Sequence, residues 1–210
     1  MINDFEFLRT LEDRDWISGI AEAFKVAIIN DAEFLAFLLD NAERLRARDM
    51  HAMEALVQRC AELHLDHIRN NGDPFEFGIA RPLDFGHWSA HRIEVMSSYQ
   101  VTHGLAVSVG IALDSYYAMR SGLITTSECE HIIGGLIACG LPVFHELLER
   151  PNGGGKLEEL IGLDQFREHL GGILTVTLPN GIGQKIEVHE MDEAIILDGI
   201  AYLKERQASS

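Results

Sequence analysis

Cysteine is scarce in this sequence, which excludes a disulfide framework as the basis of its fold. The chain has 3 cysteines in 210 residues. They are Cys60, Cys129 and Cys139, an odd number with no Cys-x-x-Cys pair, so a thiolate zinc site is not predicted either. A reducing compartment fits this usage best, and we expect a cytoplasmic protein.

Basic residues and long apolar runs are also in short supply. There are 17 Lys and Arg against 33 Asp and Glu, a formal net charge of −16. This charge disfavours nucleic acid and anionic membranes as partners, because both are held by clustered basic side chains. The longest uncharged apolar run, 132–144, is too short to span a bilayer and is broken by glycines and a proline. The first six residues carry acids where a secretory signal would carry positive charge.

A dinucleotide-binding fingerprint is the third absence. No Gly-x-Gly-x-x-Gly follows a predicted strand, and no internal repeat is evident. A domain that cradles a pyrophosphate is therefore not predicted within these residues.

Helical periodicity dominates what is present, and it predicts a mainly α protein, a helical bundle with a small β-hairpin near its C-terminus. The first turn signal after the third helix is Asn-Asn-Gly-Asp-Pro at 70–74. The predicted helices are 17–29, 32–46, 49–70, 87–97, 103–120, 126–139 and 194–206, and the predicted strands are 173–178 and 185–189.

Three histidines cluster around a glycine in the middle of the chain. His87 and His91 are four residues apart, so on a helix they share one face. His103 opens the next apolar run, and a bent helix pair brings all three imidazoles together. Imidazole is the commonest ligand of catalytic divalent metals, and two histidines with a carboxylate suffice. For the His-x-x-x-His pair alone, ordinary polar residues at helix ends are an equally good interpretation.

An acid and a base on the first predicted helix offer the missing carboxylate. Glu22 and Lys25 lie three residues apart among apolar and small residues. Such a pair is often only a surface ion pair worth a few tenths of a kcal/mol. Beside the histidines, it becomes a candidate metal ligand and a candidate active-site cation.

These blocks together resemble one protein family. Gly-Ile-Ala-Glu-Ala-Phe-Lys at 19–25, Arg-Pro-Leu-Asp-Phe-Gly-His-Trp-Ser-Ala-His-Arg-Ile-Glu at 81–94 and His-Gly-Leu-Ala-Val-Ser-Val-Gly at 103–110 follow in order and spacing. The pattern is similar to the carboxy-terminal domain of 3-dehydroquinate synthase and its sugar phosphate cyclase relatives. The similarity covers nearly the whole chain, so residues 1–210 are interpreted as this helical domain alone, without the amino-terminal NAD-binding domain.

The resemblance implies a metal- and NAD-dependent cyclase. In such enzymes, transient oxidation of a ring alcohol acidifies the adjacent carbon, phosphate is eliminated, the ketone is reduced again and an intramolecular aldol reaction closes the carbocycle. The implied partners are a small sugar phosphate and the missing NAD-binding domain or partner chain, in a complete enzyme expected to be a homodimer. The implied metal, zinc or cobalt, is held by Glu22, His87 and His103. The implied catalytic residues are Lys25 and His91, and the implied substrate-binding residues are Lys25, His64, Arg81, Asp84, His91 and His169.

Departures from the family pattern bear on the substrate. Asp84 stands where dehydroquinate synthases have an asparagine, His64 replaces a lysine, and Glu168-His169 replaces a lysine pair. Fewer fixed cations suit a substrate with fewer anionic groups. The sequence therefore favours a heptulose phosphate without a carboxylate, similar to the substrates of valiolone-type cyclases, and decay into a non-enzyme is the alternative.

Two other functions stay open at this point. Iron-type and glycerol dehydrogenases also join a nucleotide domain to a helical metal domain, but typically use an aspartate as the acidic ligand. A non-catalytic helical metal-binding module is the other alternative.

Overall fold

The computed structural model describes residues 3–71, 84–155, 157–169 and 173–209, excluding the side chains of residues 70, 71 and 164–169. The predicted mainly helical fold with a small antiparallel hairpin is confirmed. The helices are α1 (Asp13–Asn30), α2 (Ala32–Asp40), α3 (Ala42–Arg46), α4 (Met50–Asn71), α5 (His87–Met96), α6 (His103–Arg120), α7 (Thr126–Ala138), α8 (Glu158–His169) and α9 (Glu193–Ala208), with 3-10 turns at Phe5–Thr10 and Glu146–Glu149. The strands are β1 (Val176–Pro179) and β2 (Lys185–Val188).

The central element is α6, which is buried along nearly its whole length from Gly104 to Ala118. A helix that is apolar on all sides must be covered on all sides. It packs against α1, α5, α7 and α9, so the other helices are arranged around it. None of the described helices is long and apolar enough to cross a membrane.

The single helix predicted at 32–46 is two helices. Asn41 leaves helical geometry with φ −110° and ψ 12°. Its side-chain Nδ2 donates to the carbonyl of Phe37 at 2.8 Å, and its Oδ1 accepts from Arg44 at 2.7 Å. An asparagine side chain that bonds to nearby backbone groups competes with the helical ladder, which explains the break.

The helix α8 is an element that the sequence patterns do not predict. It buries Leu160 and Leu163 at 8% and 7% exposure, but Glu159 is fully buried beside them. Burial raises the pKa of Glu159 to about 8, and its carboxylate oxygens have no aligned hydrogen-bond partner. An acid at a buried position hides the apolar period of this helix. Arg92 anchors α8 to α5 through an ion pair with Glu158 at 3.1 Å.

The hairpin forms where its turn residues allow it. Val176 pairs with Val188 and Pro179 with Lys185 in an antiparallel register. Gly181 and Gly183 have φ of +75° and +80°, a region that other residues rarely adopt. The turn predicted at 70–74 lies, beyond Asn71, outside the described residues.

Close contact between α5 and α6 depends on glycine. Gly86, with φ +76°, is the N-cap residue directly before α5, and its carbonyl oxygen lies against Gly110 of α6. A methyl group at Gly110 would clash with that backbone oxygen. The backbone at Gly86 therefore packs directly against the backbone of α6.

We predict that Gly110→Ala lowers the free energy of unfolding by about 2 kcal/mol, because overpacking costs about 1–3 kcal/mol and exceeds the gain in helix propensity. Gly134→Ala is the matched control, since nothing lies within 4 Å of a methyl group there, and it should be neutral or stabilising by up to about 1 kcal/mol. Urea denaturation measures both. Equal stability of the two variants would show that the contact yields to a methyl group.

Candidate functional site

Three side chains converge from three helices. Glu22 projects from α1, and His87 and His103 are the first residues of α5 and α6. One ligand atom from each lies within 4.8 Å of the others. We call these residues the triad. The structure therefore brings together the three residues to which the resemblance assigns the metal.

Glycine also sets the distance between Glu22 and His103. A methyl group at Gly104 would overlap the carbonyl oxygen of Ser18. Ser18 lies one turn before Glu22, and Gly104 follows His103 directly. The close crossing of α1 and α6 thus carries the carboxylate to the imidazole, and Nε2 of His103 lies 3.3 Å from Oε1 of Glu22.

The imidazole of His87 is oriented by a hydrogen bond to the backbone of the loop that precedes α5. Its Nδ1 lies 3.0 Å from the carbonyl oxygen of Phe85, so Nδ1 is the protonated nitrogen and Nε2 carries the lone pair. Asp114 of α6 fixes the start of this helix. It accepts hydrogen bonds from the backbone of Gly86 at 3.0 Å and from Trp88 Nε1 at 2.8 Å.

Asp114 is a site-supporting residue that sequence reasoning missed. It is fully buried, and burial raises its pKa to about 7 against the effect of its two hydrogen bonds. An acid in an otherwise apolar stretch of α6 was the available signal, because such an acid needs partners.

The charges around Glu22 favour its ionised form. Burial alone would raise the pKa of Glu22, but contact with His103 and the ion pair with Lys25 outweigh it and lower the pKa to about 2. Lys25 Nζ lies 2.6 Å from Oε2 of Glu22, and the lysine side chain is 5% exposed. The lysine end of this ion pair is therefore buried, whereas the Glu22 side chain is 39% exposed.

The pKa values of the two triad histidines are shifted in opposite directions. Burial, reinforced by the charge of Lys25, lowers the pKa of His87 to about 4. Contact with Glu22 raises the pKa of His103, against the effect of partial burial. At neutral pH, His87 is thus a neutral imidazole, the form that binds metals.

The third histidine of the predicted cluster, His91, lies at the rim of the site. The exposed ring of His91 is 5.4 Å from the ring of His87 and 6.3 Å from the ring of His103, between centroids. It can reach a ligand placed on the triad from the solvent side.

The remaining predicted substrate residues are less well placed. His64 is exposed on α4, one turn after Cys60. Cys60 itself lies within electrostatic reach of Glu22 and Lys25, and burial raises the pKa of its thiol to about 12, so α4 passes beside the triad. Asp84 is half-buried, just before Phe85. Arg81 and the side chain of His169 lie outside the described residues.

The triad has the properties of a divalent metal site. Its donors are one carboxylate and two imidazoles, which suit zinc and similar ions. Oε1 of Glu22 is buried without an aligned hydrogen-bond partner, and a cation would satisfy that oxygen.

The chain is similar to known 3-dehydroquinate synthases over most of its length. The family model described as 3-dehydroquinate synthase C-terminal matches residues 19–164. A 3-dehydroquinate synthase of Shewanella piezotolerans is 33% identical over 86% of this chain and 49% of its own length. One from Aliivibrio fischeri is 31% identical over 97% of this chain and 55% of its own. The chain spans about half the length of these curated relatives.

Solved structures agree on the fold. ValA, a 2-epi-5-epi-valiolone synthase from Streptomyces hygroscopicus solved with NAD+ and Zn2+ bound, is 27% identical with a TM-score of 0.86, over 97% of this chain and 55% of that chain. A 2-deoxy-scyllo-inosose synthase complexed with carbaglucose-6-phosphate, NAD+ and Co2+ has a TM-score of 0.67 over 90% of this chain and 53% of that chain. Its identity of 17% supports the fold alone.

We predict that His87 gives the metal-free protein an acid-sensitive stability. Its pKa moves from 6.5 to about 4 on folding, so the unfolded chain binds the proton more readily, and the free energy of unfolding falls as pH drops from 6.5 to 4. The loss is at most about 3 kcal/mol. His103 has the opposite sign, because its contribution is fully present below its unfolded pKa and is lost only as pH rises through the raised value.

Denaturant titrations across this pH range and histidine C2-proton NMR measure the effect. His87→Gln should flatten the pH dependence, whereas His51→Gln, at an exposed position on α4, should not. A His87 resonance that titrates near pH 6.5 would contradict the assignment.

Proposed function

This chain belongs to the 3-dehydroquinate synthase family, and we propose that it forms the metal- and substrate-binding part of a metal- and NAD-dependent sugar phosphate cyclase. The convergence of Glu22, His87 and His103 within 4.8 Å carries the proposal. The acidic donor is a glutamate, which favours a cyclase over the dehydrogenases that typically use an aspartate.

The nucleotide part of this enzyme would lie outside these 210 residues. The sequence has no phosphate-cradling glycine fingerprint after a strand, and the curated relatives are about twice as long as the matched region. The chain by itself should then neither bind NAD tightly nor turn over a substrate, because nicotinamide must be held against the reacting carbon.

The triad would hold the metal through Nε2 of His87, Nε2 of His103 and the carboxylate of Glu22. A bound divalent ion would act as a Lewis acid on substrate oxygens, while NAD in the complete enzyme would supply reversible hydride transfer. The depressed pKa values of Glu22 and His87 keep two of the three donors deprotonated at neutral pH without a metal.

Lys25 and His91 would bind the substrate around that centre. Lys25 is buried beside Glu22, so its ammonium group provides fixed positive charge for an oxygen that becomes negative during the reaction. His91 is exposed beside both triad histidines, where its imidazole can donate a hydrogen bond to a phosphate oxygen and hold a proton.

We expect the substrate to be a sugar phosphate without a carboxylate. The lysine that lies against the triad is already paired with Glu22, and Asp84 adds negative charge just before the His87 loop. A carboxylate can accept hydrogen bonds from sugar hydroxyls, whereas it repels a substrate carboxylate. The likeness to a valiolone synthase at a TM-score of 0.86 supports the same choice.

We predict that the purified chain binds one equivalent of zinc or cobalt at the triad. At a free zinc concentration 100 times the Kd, the unfolding free energy should rise by about 2.7 kcal/mol. Glu22→Gln and His103→Ala should remove most of this rise, measured for each variant against its own metal-free form by denaturant titration. His131→Ala, on the exposed face of α7, is the control and should retain it. A wild-type chain with no metal-dependent stabilisation would refute the metal role.

We predict faster phosphate release from sedoheptulose 7-phosphate than from a 3-deoxy-heptulosonate phosphate. The assay joins this chain to the nucleotide-binding half of a family member and supplies NAD and zinc. Asp84→Asn should shift the ratio of kcat/KM toward the heptulosonate by about tenfold, since it removes one repulsive charge worth about 1.4 kcal/mol. Faster release from the heptulosonate by the unmodified chain would contradict the expectation, and release from neither would favour a non-enzyme.

A further inference from the structure

A second carboxylate contacts His103 on the side of the ring away from Glu22. Oε1 of Glu94 lies 3.2 Å from Nδ1 of His103, while Nε2 faces Glu22 at 3.3 Å. The Glu94 side chain is 15% exposed, compared with 39% for Glu22. The imidazole is thus held between two acids that contact different nitrogens.

We infer that Glu94 is a positioning residue for the metal site. By accepting the proton of Nδ1–H, it keeps the lone pair of His103 on Nε2, directed at the other two triad members. This inference rests on the proposed metal-binding function. A histidine ligand whose second nitrogen donates to a carboxylate is fixed in tautomer and orientation and is made more basic.

In both triad histidines Nδ1 contacts a hydrogen-bond acceptor, but the acceptors differ. Nδ1 of His87 contacts a backbone carbonyl, that of Phe85, at 3.0 Å. Nδ1 of His103 has a carboxylate in the same role. Without an acceptor at Nδ1, the proton of a neutral imidazole can move to Nε2 and block the coordinating atom.

The turn between α5 and α6 places Glu94 for this contact. The Glu94 carbonyl accepts from the backbone N–H of Tyr99 at 2.8 Å and from the Ser97 hydroxyl at 3.0 Å. Ser98 and Tyr99 then adopt φ of +52° and +61°, which reverses the chain toward α6. The end of α5 is thereby fixed relative to the first residue of α6, nine positions later.

Tautomer and affinity can be measured separately. In metal-free protein, at a pH where His103 is neutral, 15N NMR of the imidazole should show the Nδ1–H tautomer in the wild type and a mixture with Nε2–H in Glu94→Leu. Competition with a chromogenic chelator should show zinc affinity weakened about 100-fold in Glu94→Leu and about tenfold in Glu94→Gln, which keeps an acceptor but loses the charge. Glu205→Gln, at an exposed position on α9, should match the wild type.

The outcomes separate the two proposals. A wild-type chain that binds no zinc refutes the metal function and with it a role of Glu94 at a metal site, while the tautomer measurement still decides whether Glu94 keeps the proton of His103 on Nδ1. A wild-type chain that binds zinc, with the same tautomer and affinity in both Glu94 variants, overturns the positioning role. If Glu94→Leu does not fold, unchanged zinc affinity in Glu94→Gln overturns it.

Discussion

The close approach of α6 to both α1 and α5 is the constraint on which this structure depends. Gly104 lets the first turn of α6 touch the backbone of Ser18, and Gly110 lets its second turn touch the carbonyl of Gly86. These contacts fix three helices at backbone distance, where side-chain packing alone would hold them farther apart. The triad is a direct product of that geometry, because its members lie beside the two crossings.

Electrostatics within the triad explain why it is prepared for a cation. Lys25 and His103 keep Glu22 ionised, and burial keeps His87 neutral. A buried carboxylate oxygen without an aligned donor is costly, and the fold tolerates this one at Glu22. A cluster of one carboxylate and two imidazoles, with one carboxylate oxygen lacking a donor, is better suited to binding a cation than to stabilising the fold.

Helical periodicity in the sequence predicted the helices that carry the triad. The predicted starts at His87, after a glycine, and at His103 are the observed starts of α5 and α6. Periodicity failed at two polar residues. Asn41 ends α2 within a stretch predicted as one helix, and Glu159 occupies a buried position on α8, so the apolar pattern of that helix is not visible in the sequence. Residue spacing also identified Glu22, Lys25, His87 and His91 as candidate site residues. The sequence signals that Asp114 needs a partner, because it is an acid in an apolar stretch, but the partners of Asp114 and Glu94 lie 28 and nine residues away in the chain and are identified only by the structure.

The positions of the triad members along the chain divide its assembly into a local part and a distant part. His87 and His103 are 16 residues apart (103 − 87), and Glu22 and His103 are 81 apart (103 − 22). Closing the shorter loop costs about 1.4 kcal/mol less chain entropy than closing the longer one. The histidine pair with Glu94 therefore belongs to a compact segment that can form early, and Glu22 joins it only when the first helix docks.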